Sequence, residues 1–375
     1  MKISNTVKEG KKMKAYLFNF AGGRIVKTGI AVFVTAFICH LLDWPAMFAV
    51  ITAIVTIEPT AADSIRKAFI RLPASAIGAG FAAFFAFLFG DSPFSYAFVS
   101  LATIIVCHRL RLYEGTVVAV LTGAAMISTV HDHYAASFFI RLGTTCTGLI
   151  VSSLVNIFIM PPQYSKTITL GIDSAFEKAS SILMKAFTHI SSDSHSEKAG
   201  LLENFHQLSR DTEKIEKLCL YQKDEWRFHR FTRKEIRCYR LEYKKLIILR
   251  QLIYHIGNLV YLPKSRFSLD LKTNASAMPV MESLSFIFKD KGFIPDEDYQ
   301  NRVNALTQWF NEQKETFAPA DLHPHQHHHI SPAAAVLYEI LSLHDLAEEL
   351  IHIRSLEERS KELLQLANDT SSEDR

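Results

Sequence analysis

The sequence predicts an all-α protein, a polytopic membrane block of six transmembrane helices followed by a helical cytoplasmic domain. Three observations predict it. Six apolar segments occupy the chain before Met160, at roughly 25–42, 45–57, 72–90, 93–107, 115–130 and 142–160. The Lys and Arg residues between them fall mostly on alternate turns. Beyond Gln163 the pattern changes to amphipathic helices with charged faces, and no stretch alternates as a strand does. The boundaries follow: a basic N-terminal segment over 1–24, the membrane block over 25–162 and the helical domain over 163–375.

Charge divides where hydropathy divides. Up to Met160 there are 13 Lys and Arg against 7 Asp and Glu, and beyond it 28 against 31. A nucleic-acid partner calls for a concentrated basic surface, and this distribution predicts none. Cys39, Cys107, Cys146, Cys219 and Cys238 form no CxxC pair and give no disulfide framework.

Taken in order, Lys2, Lys8, Lys11, Lys12 and Lys14 precede the first apolar segment as in a signal peptide. The further segments make it a retained first membrane helix instead. The second and fifth segments fall short of the ~20 residues of a spanning helix. Charge argues that they cross nonetheless. One side receives the N-terminal lysines, then Arg66, Lys67 and Arg71, then Arg109 and Arg111, then Lys166. The other receives Asp43-Trp44, Gly90-Asp91-Ser92 and His131 to Tyr134. Arg141, close to a boundary, departs from the asymmetry. Six crossings arranged as three hairpins, multi-pass in the cell membrane with both termini cytoplasmic, are the expectation.

The stretch from Glu58 to Gly80, EPTAADSIRKAFIRLPASAIGAG, reads as a polar hinge leading into the third segment. Ala74, Gly78 and Ala82 recur every four residues, which puts a small face on one side of a helix. The sixth segment carries Thr144, Gly148, Ser152 and Asn156 at the same spacing, a row that should face protein or a wet path. Ala119, Thr122 and Gly123 give the fifth a similar surface, and Pro161-Pro162 ends the sixth. In the second part, helical patterns run from Lys166 to His189 and, with a break, from Glu197 to Leu262. Further ones start near Pro279, Asp296 and Ser331, where Ser331-Pro332 is a start signal.

The stretch TIEPTAADSIRKAFIRLPASAIGAG, Thr56 to Gly80, resembles the junction of the second and third helices in the aromatic acid exporter family, which belongs with the fusaric-acid-resistance-type efflux proteins. Arg71 and Gly78 occupy the family's arginine and glycine positions. Ala74-Ser75-Ala76 stands where the family carries a threonine. FNFAGGRIVKTGIA, Phe18 to Ala31, and the six-segment block are also similar, over about residues 14–162. The helical tail is similar to the C-terminal domain of small Gram-positive members. The resemblance implies efflux of aromatic or other organic carboxylates. Larger members carry two six-helix blocks in one chain, which implies that this chain pairs as a homodimer.

Each candidate residue has two readings. The Arg71 guanidinium suits recruitment of a carboxylate, or it sets topology. Glu58 and Asp63 could couple proton movement, or form ion pairs with Arg66 and Arg71 that hold the elbow. Thr144, Ser152 and Asn156 could line a substrate path, or hydrogen-bond between helices. With Ser75 and Gly78, these give a substrate-binding set of Arg71, Ser75, Gly78, Ser152 and Asn156. The tract His323 to His329 reads as a solvated loop rather than a metal site. The basic residues between Trp226 and Lys245 read as a solvated face, or one that meets anionic lipid. No Walker loop, HExxH or GxSxG is present, so no enzyme activity and no cofactor are expected, and an ion gradient is the expected energy source. The alternative is a non-transporting membrane scaffold or regulator whose cytoplasmic helices bind a protein partner.

Overall fold

Burial in the first half of the chain runs opposite to that of a water-soluble protein. Large apolar side chains lie outside: Phe33 is 70% exposed, Phe69 76% and Phe158 76%. Hydroxyl and small residues lie inside, among them Thr35, Thr52, Thr56, Ser64, Ser75, Thr103, Thr122, Thr144, Thr145 and Ser152. Helices in lipid gain little by hiding large apolar groups from one another, so they associate through small residues and hydrogen bonds.

This distribution comes from a computed structural model that describes residues 23–128, 134–159, 164–191, 198–228, 231–262, 271–315 and 332–373. Among the described residues there are twelve α-helices and no strand. The chain forms two compact units, residues 1–163 together with 221–230, and residues 164–220 together with 231–375.

The first unit holds α1 (Gly23–Leu41), α2 (Ala46–Thr56), α3 (Ala61–Phe89), α4 (Pro93–Arg109), α5 (Tyr113–Ile127) and α6 (Tyr134–Phe158). Among the described residues three helices are long and apolar enough to cross a membrane: Gly23–Leu41, Ala61–Phe89 and Ala135–Phe158. Ala46–Thr56 and Tyr113–Ile127 are shorter apolar helices. Asp43, Gly90 and Arg111 take positive φ in the tight turns after α1, α3 and α4. At Gly90, where the backbone N–H returns to the Ala86 carbonyl, the absence of Cβ removes the strain.

The polar hinge is narrower than the charge pattern suggests. Asp63, Arg66, Lys67 and Arg71 are not in a linker but in the first turns of α3, which runs unbroken through Pro73. Charged residues do not stop a helix. Thr60 starts this one, its hydroxyl accepting from the Asp63 N–H at 3.0 Å. Helix α3 is the spine of the unit and packs along α5, α6 and α4. Helix α6 packs with α2, α3 and α1 rather than chiefly with α5, so the expected third hairpin opens out. A Cβ on Gly78 would run into the Ala119 carbonyl of α5, and one on Gly148 would meet the Ala49 carbonyl of α2 at 2.5 Å. The small faces are thus used within the chain.

The second unit is built as a soluble helical protein is, on large apolar side chains. It contains α7 (Ser165–Ser191), α9 (Arg233–Val260), α10 (Leu271–Lys289), α11 (Glu297–Glu315), α12 (Pro332–Glu373) and most of α8 (Lys198–Glu225). Leu201, Phe205, Leu208 and Ile215 of α8 are buried as their spacing predicts. The break before α9 is set by a capping box, in which Thr232 and Glu235 satisfy each other's backbone N–H. Helix α10 starts eight residues before Pro279, and Arg354 donates to the carbonyls of Ile287, Phe288 and Asp290 at its other end. Lys245 departs from the predicted solvated face: it is buried and paired with Glu242 and Glu357. Pro161-Pro162, His131 to His133, Ser331 and the tract His323 to His329 lie outside the described residues.

Candidate functional site

Two polar clusters lie inside the first unit. The first surrounds the turn between α2 and α3. Arg71 reaches back from α3 and donates from Nη2 to Glu58 Oε1 at 2.8 Å, from Nη1 to the Val55 carbonyl at 3.1 Å and from Nε to the Glu114 carbonyl at 3.4 Å. Every guanidinium nitrogen is occupied. Lys67 bridges Glu58 at 3.2 Å and Glu114 at 3.4 Å, and Asp63 pairs with the exposed Arg66 at 3.1 Å. Beside them Asn156 of α6 donates from Nδ2 to the carbonyls of Glu58 and Thr60, both at 3.0 Å, and to Ser64 Oγ at 2.7 Å. Its Oδ1 accepts from Lys27 Nζ at 2.7 Å. An ammonium only donates and a carbonyl only accepts, so these partners fix the orientation of the amide. One side chain thus ties α1, the elbow and α6 together. A further ligand of the elbow comes from far along the chain: the Ala61 N–H at the start of α3 donates to Glu225 Oε1 at 2.7 Å.

The second cluster surrounds Arg141. Arg141 is buried inside the unit, because α6 starts at Tyr134 and carries it more than one turn in from the helix end. Its Nη2 donates to Thr122 Oγ1 of α5 at 2.9 Å. Ser75 of α3 lies 3.3 Å from both Thr122 Oγ1 and Thr145 Oγ1, and Thr144 and Thr145 donate to the Arg141 carbonyl. The Phe48 ring of α2 lies under the guanidinium, 3.6 Å from Cζ. Nε and Nη1 have no hydrogen-bond acceptor, and no described carboxylate is within ion-pair distance. Trp44 closes over Gly143, two residues on.

Of the five predicted substrate residues, Ser75 belongs to the Arg141 cluster. Arg71 and Asn156 belong to the elbow. Gly78 lies at the α3–α5 contact, and Ser152 donates to the Gly148 and Leu149 carbonyls of its own helix. Sequence reasoning missed Arg141, Lys27 and Glu225. Arg141 had a signal, as the one basic residue on the wrong side of the charge count. Lys27 had one too, as a charge within an apolar segment. Glu225 had none, since it ends a charged surface helix.

The clusters lie within a stretch with recognisable relatives. A family model described as Aromatic acid exporter family member 1 matches residues 19–159. A UPF0421 protein of Bacillus cereus is 41% identical, over 90% of this chain and 94% of that protein. A UPF0421 protein of Oceanobacillus iheyensis is 36% identical over 91% and 98%, and one of Staphylococcus aureus is 39% identical over 74% and 85%.

Proposed function

Because the chain belongs to the aromatic acid exporter family, we propose that it exports aromatic carboxylates and related organic anions, with Arg141 receiving the carboxylate. One observation carries this reading. Arg141 is a buried cation with two nitrogens that donate to nothing and, among the described residues, no carboxylate within ion-pair distance. Burying an unpaired charge costs several kcal/mol, and within a membrane such charges are retained where they serve transport. A substrate carboxylate supplies the missing acceptor. The hydroxyls of Ser75, Thr122 and Thr145 offer further polar contacts, and Phe48 and Trp44 offer aromatic surface for a ring. Arg71 has a different part in this reading. Glu58 already neutralises it, and the pair holds the elbow from which α3 starts.

In the same reading all six helices of the first unit cross the cell membrane, and both termini face the cytoplasm. The turns after α1, α3 and α4 support this, because three or four residues reverse the chain at each. Transport runs on an ion gradient, and two copies pair as a homodimer.

The test is flux of benzoate and hydroxybenzoates from proteoliposomes that contain the full chain. Arg141→Ala should lower flux about 10- to 100-fold at equal protein, the factor of one lost charged hydrogen bond. Arg141→Lys should restore part of it. Wild-type flux that Arg141→Ala does not change would remove Arg141 from the substrate path. No flux from the wild type would favour the membrane scaffold instead.

A further inference from the structure

We propose that the exposed face of α9 is a docking surface for the anionic lipid headgroups of the inner leaflet. The sequence leaves the basic residues after Trp226 either solvated or against lipid, and the helix shows which of them share a face. Arg233, Arg237, Arg240 and Lys244 follow one another at helical i+3 and i+4 spacing, and all are exposed. The same spacing carries the row on through Ile247 and Gln251 to Tyr254, with Tyr243 alongside. Ile247 is 43% exposed and Tyr254 66%. One face of one helix thus holds a run of cations followed by apolar and aromatic side chains, over about 32 Å from Arg233 to Tyr254.

Among the described residues none of these four cations has an ion-pair partner. Their basic neighbours do. Lys245 is buried against Glu242 and Glu357, and Arg250 pairs with Glu216 at 3.0 Å. The two acids of α9 are used elsewhere, Glu235 in the capping box with Thr232 and Glu242 beside Lys245. Arg233 and Lys234 also open the helix, at the end where its dipole favours acids. A row of cations kept against that preference calls for an anionic partner, and a second copy offers this face only the same cations. Clustered cations on an amphipathic helix attract anionic lipid over a short range. Tyr243, Ile247 and Tyr254 suit the headgroup region, where a side chain can set its apolar part against lipid.

Chain connectivity keeps this face near a membrane. Residues 221–230 belong to the first unit, where Glu225 accepts from the Ala61 N–H at the start of α3. Arg233 follows Glu225 by eight residues, so at most about 29 Å of chain separates the two. The leaflet is the inner one because the chain after α6 is cytoplasmic in the topology proposed above.

The test uses the full chain in nanodiscs of phosphatidylcholine, alone or mixed with phosphatidylglycerol. Gln251→Cys puts a thiol on the row. Cys238, which is exposed on another side of α9, is the internal control. The rate at which each thiol reacts with an uncharged maleimide is read by peptide mass. Phosphatidylglycerol should slow the Gln251→Cys thiol about tenfold and leave Cys238 unchanged, and roughly 0.5 M salt should restore the rate. Changing Arg233, Arg237, Arg240 and Lys244 together to Gln should restore it as well, and the salt comparison stands alone if that variant does not fold. A fast rate in both lipids would mean a solvated face, and a slow rate in both would mean a protein partner such as a second copy. Either result overturns the proposal, as does a slowing by phosphatidylglycerol that persists in high salt and without the four cations. Discs present the same lipid on both faces, so the result holds whichever side of the membrane α9 occupies, and a failure of export leaves it untouched.

Discussion

Arg71 and Arg141 show how much a residue type leaves unsaid until its partners are known. Both are arginines in apolar surroundings, and the sequence points to Arg71 because it stands in a recognisable motif. The structure gives Arg71 a carboxylate and, among the described residues, gives Arg141 none. A double-mutant cycle separates them. Arg71→Met should lower folded yield by leaving Glu58 short of a cation, and Glu58→Gln in the same chain should recover about 1–3 kcal/mol of the loss. No second substitution at a carboxylate should rescue Arg141→Ala. An apolar run that opens at Leu142 makes Arg141 a boundary charge. Only the start of α6 at Tyr134 puts it inside. In the second unit, Asp211 is paired with Lys178 at 2.7 Å and Lys214 at 3.2 Å. The hydrogen bond from Lys178, then that from Lys214, holds its carboxyl below the usual value. An acid lowered by folding contributes stability above about pH 4 and loses it as pH falls through the folded value. Asp211→Asn should therefore lower the melting temperature at pH 7, and the gap should close towards pH 3.

At the scale of the element, α3 was legible as a small-faced helix but not at its true length. The charges after Glu58 read as a linker because the apolar run alone sets the start of this helix at Leu72. The N-cap at Thr60 was the better guide, and it lay in plain sight. The small face has a sharp test in two glycines of the same helix. A Cβ on Gly78 collides with the Ala119 backbone, while one on Gly80 meets nothing within 4 Å. Gly78→Ala should reduce folded protein in detergent. Gly80→Ala should keep it or raise stability by about 0.5–1 kcal/mol, since alanine is the better helix former. Equal yields for the two variants would mean that α3 and α5 do not approach as closely as described.

For the whole molecule, the change of hydropathy along the chain accompanies a change in how the two units are built, the first exposing large apolar side chains and the second burying them. The return of residues 221–230 to the first unit was not readable, since no local pattern distinguishes a helix end that docks from one that does not. The topology reading is checked by labelling. A cysteine at Arg66, whose side chain is exposed, should react only after cells are permeabilised, and one at Asp91 should react in intact cells. Ser64 is fully buried and would report poorly. The homodimer is checked by mass in nanodiscs. Its contact should use the large apolar exterior, because Gly78 and Gly148 already face helices of the same chain.

The bond between Lys27 and Asn156 also has a consequence in time. Its partners are 129 positions apart, so at about 5–20 residues per second the ribosome delivers the amide roughly 6–26 s after the ammonium. Until then α1 must hold a charge with no companion from α6. In the proposed topology, with the N-terminus inside, Lys27 would extend its amine to the headgroups of the inner leaflet and wait there. The contact then forms when α6 draws the amine out of the headgroups and into the protein.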